Sequence, residues 1–340
     1  MALAGGIGSG KTTELLLTRK FLSRHKDAVN IYVDLADYTD LSELNTGAIL
    51  ATAGMQLYKH LSGKESEQHV PALRKLSQLA LGRTEFYDGW LPELDEPPTI
   101  RIPGLMRLRF PALRREVSEI KELLLAIASP LLQRDAQITL LVDGLDRLIQ
   151  AGRFREFAEQ DLQALKGTKV SVIIVAPLLL WYDKSRFLQD YFDLVRHIPA
   201  AAAGPEDSAF LKQILERRGA LELMDRAEVA SIAKYSGGVI RDLLTLARSA
   251  AEYAYRDAED RIGRRHVRAA IHQLGNRYLV GLGRTHTMVL RRLADKSEFP
   301  IEHPTARELL VNRQVLEYFS RGREFFAVHP ALAKVLPKSA

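Results

Sequence analysis

Gly5-Gly6-Ile7-Gly8-Ser9-Gly10-Lys11-Thr12 constrains this chain more than any other stretch, because it fits the pattern G-x-x-x-x-G-K-[ST] at every fixed position. Glycines let a backbone turn tightly and bring its N–H groups onto an anion without side-chain obstruction. Lys11 is placed to reach the β- and γ-phosphates of a nucleotide, and the Thr12 hydroxyl to ligate Mg²⁺. Thr13 opens a helix expected to run to His25, with Leu15, Leu16, Phe21 and Leu22 available for one buried side. Its N-terminus then faces the phosphates, where the helix dipole and free N–H groups favour negative charge. A glycine-rich turn of no function would need neither a helix behind it nor an acidic strand end downstream, and both are present. The strand ahead of the loop, Met1 to Ala4, is short, as a truncated or misassigned start would leave it.

The acidic strand end is Asp143-Gly144-Leu145-Asp146, after the aliphatic run Gln137 to Val142. Such a run suits a strand buried on both faces. A carboxylate at the end of a central strand projects into the crevice where ligands of open α/β sheets sit. Asp143 is therefore the expected holder of Mg²⁺, mostly through water. Asp146 has two readings: it polarises the attacking water, or it caps a helix expected over Arg147 to Gln160. Further strands are expected over Val29–Leu35, Lys169–Ala176 and Leu194–Ile198, separated by helical segments, which makes the class α/β with a parallel sheet. Between Gly82 and Pro111 the pattern breaks around Pro92, Pro97, Pro98, Pro103 and Pro111, as in a long loop.

Composition removes other chemistries. None of the 340 residues is cysteine, so a disulfide scaffold, thiolate zinc, an iron–sulfur cluster and a cysteine nucleophile are excluded. The longest apolar run, Val170 to Trp181, contains Pro177 and falls short of a membrane span, and no basic residue precedes the short apolar start as in a signal peptide. A cytoplasmic protein without a membrane partner is expected. Net charge is +6, and from Arg264 onward 14 basic residues face 6 acidic ones, a local +8 against −2 for everything before. Such a patch suits phosphate backbones or acidic partners, or serves only to solvate the surface.

Ala200-Ala201-Ala202-Ala203-Gly204-Pro205 reads as a junction, followed by helices over Glu206–Arg218, Arg226–Tyr235, Val239–Arg256 and Gly263–Leu274. The segment Ser236-Gly237-Gly238-Val239-Ile240-Arg241 ends one helix and starts another. A cation in a first helical turn is disfavoured by the dipole, so Arg241 asks for a reason, and reaching a phosphate supplies one. With this segment the chain resembles the AAA+/STAND branch of P-loop ATPases, over roughly residues 1–275. The resemblance implies that Gly-Gly-x-x-Arg carries a sensor 2 arginine at Arg241, within a helical lid. Asp143-Gly-Leu-Asp146 is similar to the Walker B motif of NACHT-type STAND proteins, while the lid resembles that of origin-recognition initiators. On this resemblance ATP–Mg²⁺ is held by Gly5, Gly6, Ile7, Gly8, Ser9, Gly10, Lys11, Thr12, Thr13 and Arg241, with Thr12 and Asp143 on the metal. The catalytic set is Lys11, Asp143, Asp146 and Arg241. The sensor 1 position falls at Ala176-Pro177, which cannot orient water, so slow hydrolysis is implied. Arg186, then Arg196, are the arginine-finger candidates, though each is more readily a surface salt bridge.

The expected domains are 1–203, a P-loop nucleotide-binding domain; 204–280, a helical lid; and 281–340, a winged-helix-like domain. The last rests on helices over Thr285–Ala294 and Thr305–Asn312, then strands Val315–Phe319 and Glu324–Val328 joined at Ser320-Arg321-Gly322-Arg323. Arg321 and Arg323 at its tip are placed to clamp DNA phosphates. His286, His303 and His329 fit no metal spacing, and the prolines beside His303 and His329 mark turns. Two functions follow: an ATPase whose ATP state controls assembly on DNA, or a signalling or defence ATPase working through self-assembly or protein partners. A small-molecule kinase would have no use for the lid and the C-terminal module.

Overall fold

The computed structural model describes residues 1–37, 46–81, 114–148, 151–200, 208–320 and 322–337. The proline-rich stretch, the junction beyond Ala200 and Arg321 lie outside them. Two compact units emerge: Met1–Ala4 with Lys11–Arg196, and Gly5–Gly10 with His197–Ala340.

The first unit is built on five strands: β1 (Ala2–Ala4), β2 (Ala28–Asp34), β3 (Gln137–Asp143), β4 (Val170–Ala176) and β5 (Val195–His197), in the order β2-β3-β4-β1-β5. The β2–β3, β3–β4 and β1–β4 pairs are parallel, and the register sets Asp34 opposite Asp143. Ile31, Val33, Leu140, Val142 and Ile174 are buried, as expected of a sheet covered on both faces. Around it lie α1 (Lys11–Leu22), α2 (Ala48–Tyr58), α3 (Lys64–Leu81), α4 (Arg114–Gln133), α5 (Ala151–Leu165) and the short α6 (Phe187–Tyr191). All of α2 except Gln56 is buried, consistent with a helix apolar on every side. Its N-terminus is closed from α5: Asp161 accepts the N–H groups of Gly47 at 2.6 Å and Ile49 at 2.9 Å. Burial pushes the Asp161 carboxyl up to about 7, against the pull of those donors and of Leu50 N–H.

Two expectations need correction here. The helix behind the loop starts at Lys11, two residues early, and ends at Leu22. Of its apolar residues only Leu15 is buried and Leu22 half-buried; Leu16 and Phe21 are 44% and 58% exposed, because they lie off the face that Lys11, Leu15 and Leu22 share. The helix expected over Arg147–Gln160 instead begins at Ala151, since Gly144 turns the chain into a 3-10 turn at Leu145–Arg147. Asp146 is therefore too far from α5 to cap it.

The second unit is helical, with α7 (Ser208–Glu216), α8 (Ala220–Leu223), α9 (Arg226–Tyr235), α10 (Ile240–Arg256), α11 (Arg264–Leu279), α12 (Arg284–Lys296) and α13 (Pro304–Val311). Then come β6 (Val315–Ser320), β7 (Arg323–Val328) and α14 (Pro330–Val335). Leu243, Leu246, Ala250 and Ala254 form the buried stripe of α10, three and four residues apart. β6 and β7 pair antiparallel, closing with Ser320 opposite Arg323. His303 and His329 do mark turns: each ring Nδ1 accepts the N–H two residues on, at 3.2 Å, and starts a helix whose first residue is proline. The fold class is α/β, a P-loop NTPase-type parallel sheet with a helical region and a C-terminal winged-helix-like helix–helix–hairpin.

Candidate nucleotide-binding site

In the first unit the parallel register gathers carboxylates at the C-terminal edge of the sheet. Asp143 is 3% exposed. Its Oδ1 accepts Gly144 N–H at 2.8 Å and its Oδ2 accepts the Tyr32 hydroxyl at 2.9 Å. Among the described residues Asp143 has no cationic partner. Beside it, Asp34 Oδ1 accepts Ala36 N–H at 3.0 Å, and Arg147 approaches Oδ2 at 3.5 Å. Burial, with repulsion from Asp143, pushes the Asp34 carboxyl up despite those partners. Burial and the Asp143 charge likewise push the Tyr32 hydroxyl up, so it stays a donor. Gly144 is needed between them: at φ +90 it is left-handed, and a Cβ there would lie 2.3 Å from Asp34 Oδ1.

Lys11, 3% exposed, opens α1 with its ammonium 2.9 Å from Asp146 Oδ2. Asp146 thus occupies the lysine that the motif assigns to phosphate. Thr12 and Thr13 are exposed on the first turn. β4 ends at buried Ala176, followed by Pro177 and Leu178, so no polar side chain stands at that strand end. Arg186, left-handed at φ 55, and Arg196 are both exposed and make no ion pair among the described residues.

In the second unit the loop Gly5–Gly10 passes close to the segment that carries Arg241. At Gly8, φ +86, a Cβ would come within 2.7 Å of Val239 Cγ1 and 3.3 Å of Arg241 Cβ, so only glycine allows this approach. Ile7 and Ser9 are half-buried, and Ser9 Oγ is buried with no hydrogen-bond partner. An orphaned hydroxyl inside a glycine cradle is what a phosphate oxygen would satisfy. Arg241 lies in the first turn of α10, exposed, with no side-chain partner among the described residues.

The next residue, Asp242, is the reverse case. It is buried and accepts the Tyr278 hydroxyl at 2.6 Å and the Arg313 guanidinium at 3.1 Å, with His329 Nε2 at 3.4 Å. Because His329 Nδ1 accepts the capping N–H, its proton sits on Nε2, facing Asp242. Burial opposes ionisation of Asp242, but His329, Arg313 and Tyr278 overcome it and hold the carboxyl below its ordinary range. Arg313 and His329 flank the two ends of the β6–β7 hairpin. Tyr318 Oη donates to Gly237 O at 3.0 Å, and Glu317 meets His197 at 2.8 Å. The hairpin is thereby pinned to the segment around Arg241.

The reading from residues missed Tyr32, Asp34 and the Asp242 partners. One signal was available for the first pair: β2 and β3 both end in Val-Asp, Val33-Asp34 and Val142-Asp143. The partners of Asp242 are 36 to 87 residues away, and no local pattern announces them.

The loop, the strand order and the acidic strand end together define a P-loop NTPase-type fold. No protein-family model matches the sequence. No curated protein matches it either. Among solved structures, the chain is similar to the ORC2 protein of Aeropyrum pernix in ADPNP–ADP complexes, at 14% identity, 97% of this chain, 84% of that one and a TM-score of 0.48. It is also similar to the Aeropyrum pernix ORC1 protein in complex with DNA, at 18% identity, 98% and 85% coverage and a TM-score of 0.45. For a RuvB mutant of Thermotoga maritima the values are 15%, 62% and 80%, and 0.35. None of these values assigns an activity to this chain. No helix among the described residues is long and apolar enough to cross a membrane.

Proposed function

We propose that this chain is an ATP-binding and ATP-hydrolysing switch protein of the AAA+/STAND type, cytoplasmic, whose ATP state controls assembly on DNA. The observation that carries the reading is Asp143: a buried carboxylate at a strand end, held by a tyrosine and a backbone N–H and matched by no cation among the described residues. A buried charge without a partner is costly unless a cation completes it. Thr12 and Asp143 would hold Mg²⁺, which when bound neutralises phosphate charge and polarises the phosphoryl group. Gly5 to Gly10 offer N–H groups and the Ser9 hydroxyl to phosphate, with Ile7 and Thr13 bordering the nucleotide. Lys11 exchanges Asp146 for phosphate, and Asp146, once released, is free to orient water. Arg241 reports the γ-phosphate. With apolar Ala176-Pro177 after β4, turnover is slow, and Arg186 or Arg196 serves as the finger in a self-assembled state. The domains proposed are 1–203, 204–280 and 281–340.

The pinned hairpin favours a second reading, in which the C-terminal module is an internal switch part of a signalling ATPase acting through protein partners. A fluorescent ATP analogue titrated with and without Mg²⁺ tests the site: tight binding that Mg²⁺ strengthens is expected, and Mg²⁺-independent binding removes Asp143 from the metal. Filter binding of duplex DNA across salt, with ATP present, separates the two readings. No binding at low salt leaves the signalling switch.

A further inference from the structure

Helices α9, α11 and α14 frame a groove of about 450 Å³ in the second unit. Arg264, Arg268 and His272 line it from α11, and Lys334 faces them from α14. Four residues of helix rise about 6 Å, so the three α11 residues step along the groove at that interval in a row inclined to the helix axis. That interval is close to the spacing of successive phosphates along a nucleic-acid strand. All four are exposed and make no ion pair among the described residues. This is selective. The neighbouring Arg265 is held by Asp257, at 3.0 Å, and Glu259, and Arg261 is held by Asp225 at 2.8 Å. One acid, Glu228, reaches the groove, which stays positive. Val267 and Ile271 form a narrow apolar floor, and Tyr235 stands in the wall with Lys234 Nζ 5.8 Å from its ring centroid.

We propose that this groove binds the sugar–phosphate backbone of a nucleic-acid strand, with Tyr235 against a base. Guanidiniums left free at a regular interval, with an aromatic side chain beside them, suit a strand of repeating phosphates. A docked protein would call for a wider apolar centre than Val267 and Ile271 provide. The inference rests on the nucleic-acid half of the function proposed above. It places the contact on the helices rather than on the hairpin tip.

The test measures anisotropy of a fluorescein-labelled single strand and of a duplex over a salt series, for the full chain and for variants. Arg264→Ala/Arg268→Ala should weaken binding several-fold at low salt and reduce the salt slope by about 0.7 per lost contact on the single strand, or about 0.9 on duplex. Lys334→Ala, on a different helix, should act in the same direction, which guards against a folding defect confined to α11. Arg265→Ala should change neither affinity nor slope. Unchanged affinity and slope in both groove variants overturn the proposal. So does a poly-glutamate peptide that binds as tightly as the oligonucleotides and is lost in the same variants; that result assigns the groove to an acidic protein. If only Arg323→Ala weakens DNA binding, the groove falls while the DNA reading stands. If the unaltered chain binds no oligonucleotide, both fall, and ATP-analogue binding by the same preparation still reports on the nucleotide loop.

Discussion

Asp143 and Asp242 each sit buried and each accept a tyrosine hydroxyl, Tyr32 at 2.9 Å and Tyr278 at 2.6 Å. There the likeness ends. Asp242 has its own cation, Arg313, and a histidine besides. Asp143 has a backbone N–H and the tyrosine and no cation among the described residues, while Arg147 turns to the adjacent Asp34. A buried aspartate completed from within its fold ties elements together; one left without a cation is set for a cation from outside. The same contrast separates neighbours in α10, where Asp242 is satisfied and Arg241, one residue earlier, is not.

The comparison breaks most readily at Asp143. Asp143→Asn should leave thermal stability level or slightly higher while turnover falls at least about a thousandfold, the several kcal/mol that a metal supplies. A melt paired with a phosphate-release assay reads both; a large loss of stability would make Asp143 structural, like Asp242. For Asp242→Ala the expectation is reversed: about 3 kcal/mol of stability lost at neutral pH, read by urea unfolding, because the buried Tyr278 hydroxyl and His329 and the half-buried Arg313 all lose their acceptor. The folded pKa of Asp242 lies below the ordinary 3.8. Its charge therefore stabilises fully above that value, and the advantage fades as pH falls through the folded pKa. The difference between variant and parent should shrink accordingly in acid.

Lys11→Ala should weaken a fluorescent ATP analogue about 10- to 100-fold, the worth of a charge-assisted hydrogen bond. Unchanged affinity in the folded variant would remove the loop from the site. The smallest effect compares the tyrosines. Tyr278→Phe should cost about 1 kcal/mol more than Tyr32→Phe, since Tyr278 is itself buried while Tyr32 is half-buried. Equal costs would erase the distinction between the two pairs.

Much of the candidate site was legible because its parts are local. A loop of eight residues and a strand ending in Asp143-Gly-Leu-Asp146 carry their chemistry in their own spacing. Helix α10 and the hairpin were legible too, the first from the Gly237-Gly238 pair ahead of it and the second from two strand-like runs around Ser320-Arg321-Gly322-Arg323. The burial of α1 was misread because an apolar residue does not say whether anything covers it: Leu15 is covered, while Leu16, Leu17 and Phe21 are not. Asp146 was open between two roles because both fit its position in the sequence. Its ion pair with Lys11 exists only once β3 and α1 are packed in one unit.

The residues alone therefore determined the class of fold, the glycine-rich loop before Lys11, the carboxylate at the strand end and where the basic charge is concentrated. Each depends on neighbours in the chain or on composition. Tertiary structure decided which charges are already answered. It set Asp34 beside Asp143 through strand register, closed Asp242 with Arg313 from 71 residues away and left Arg264 and Arg268 without an ion pair among the described residues while pairing Arg265. The physical reason is that the energy of a charge depends on burial and on the groups within a few ångströms of it. Those groups come from segments whose separation along the chain carries no record of their meeting.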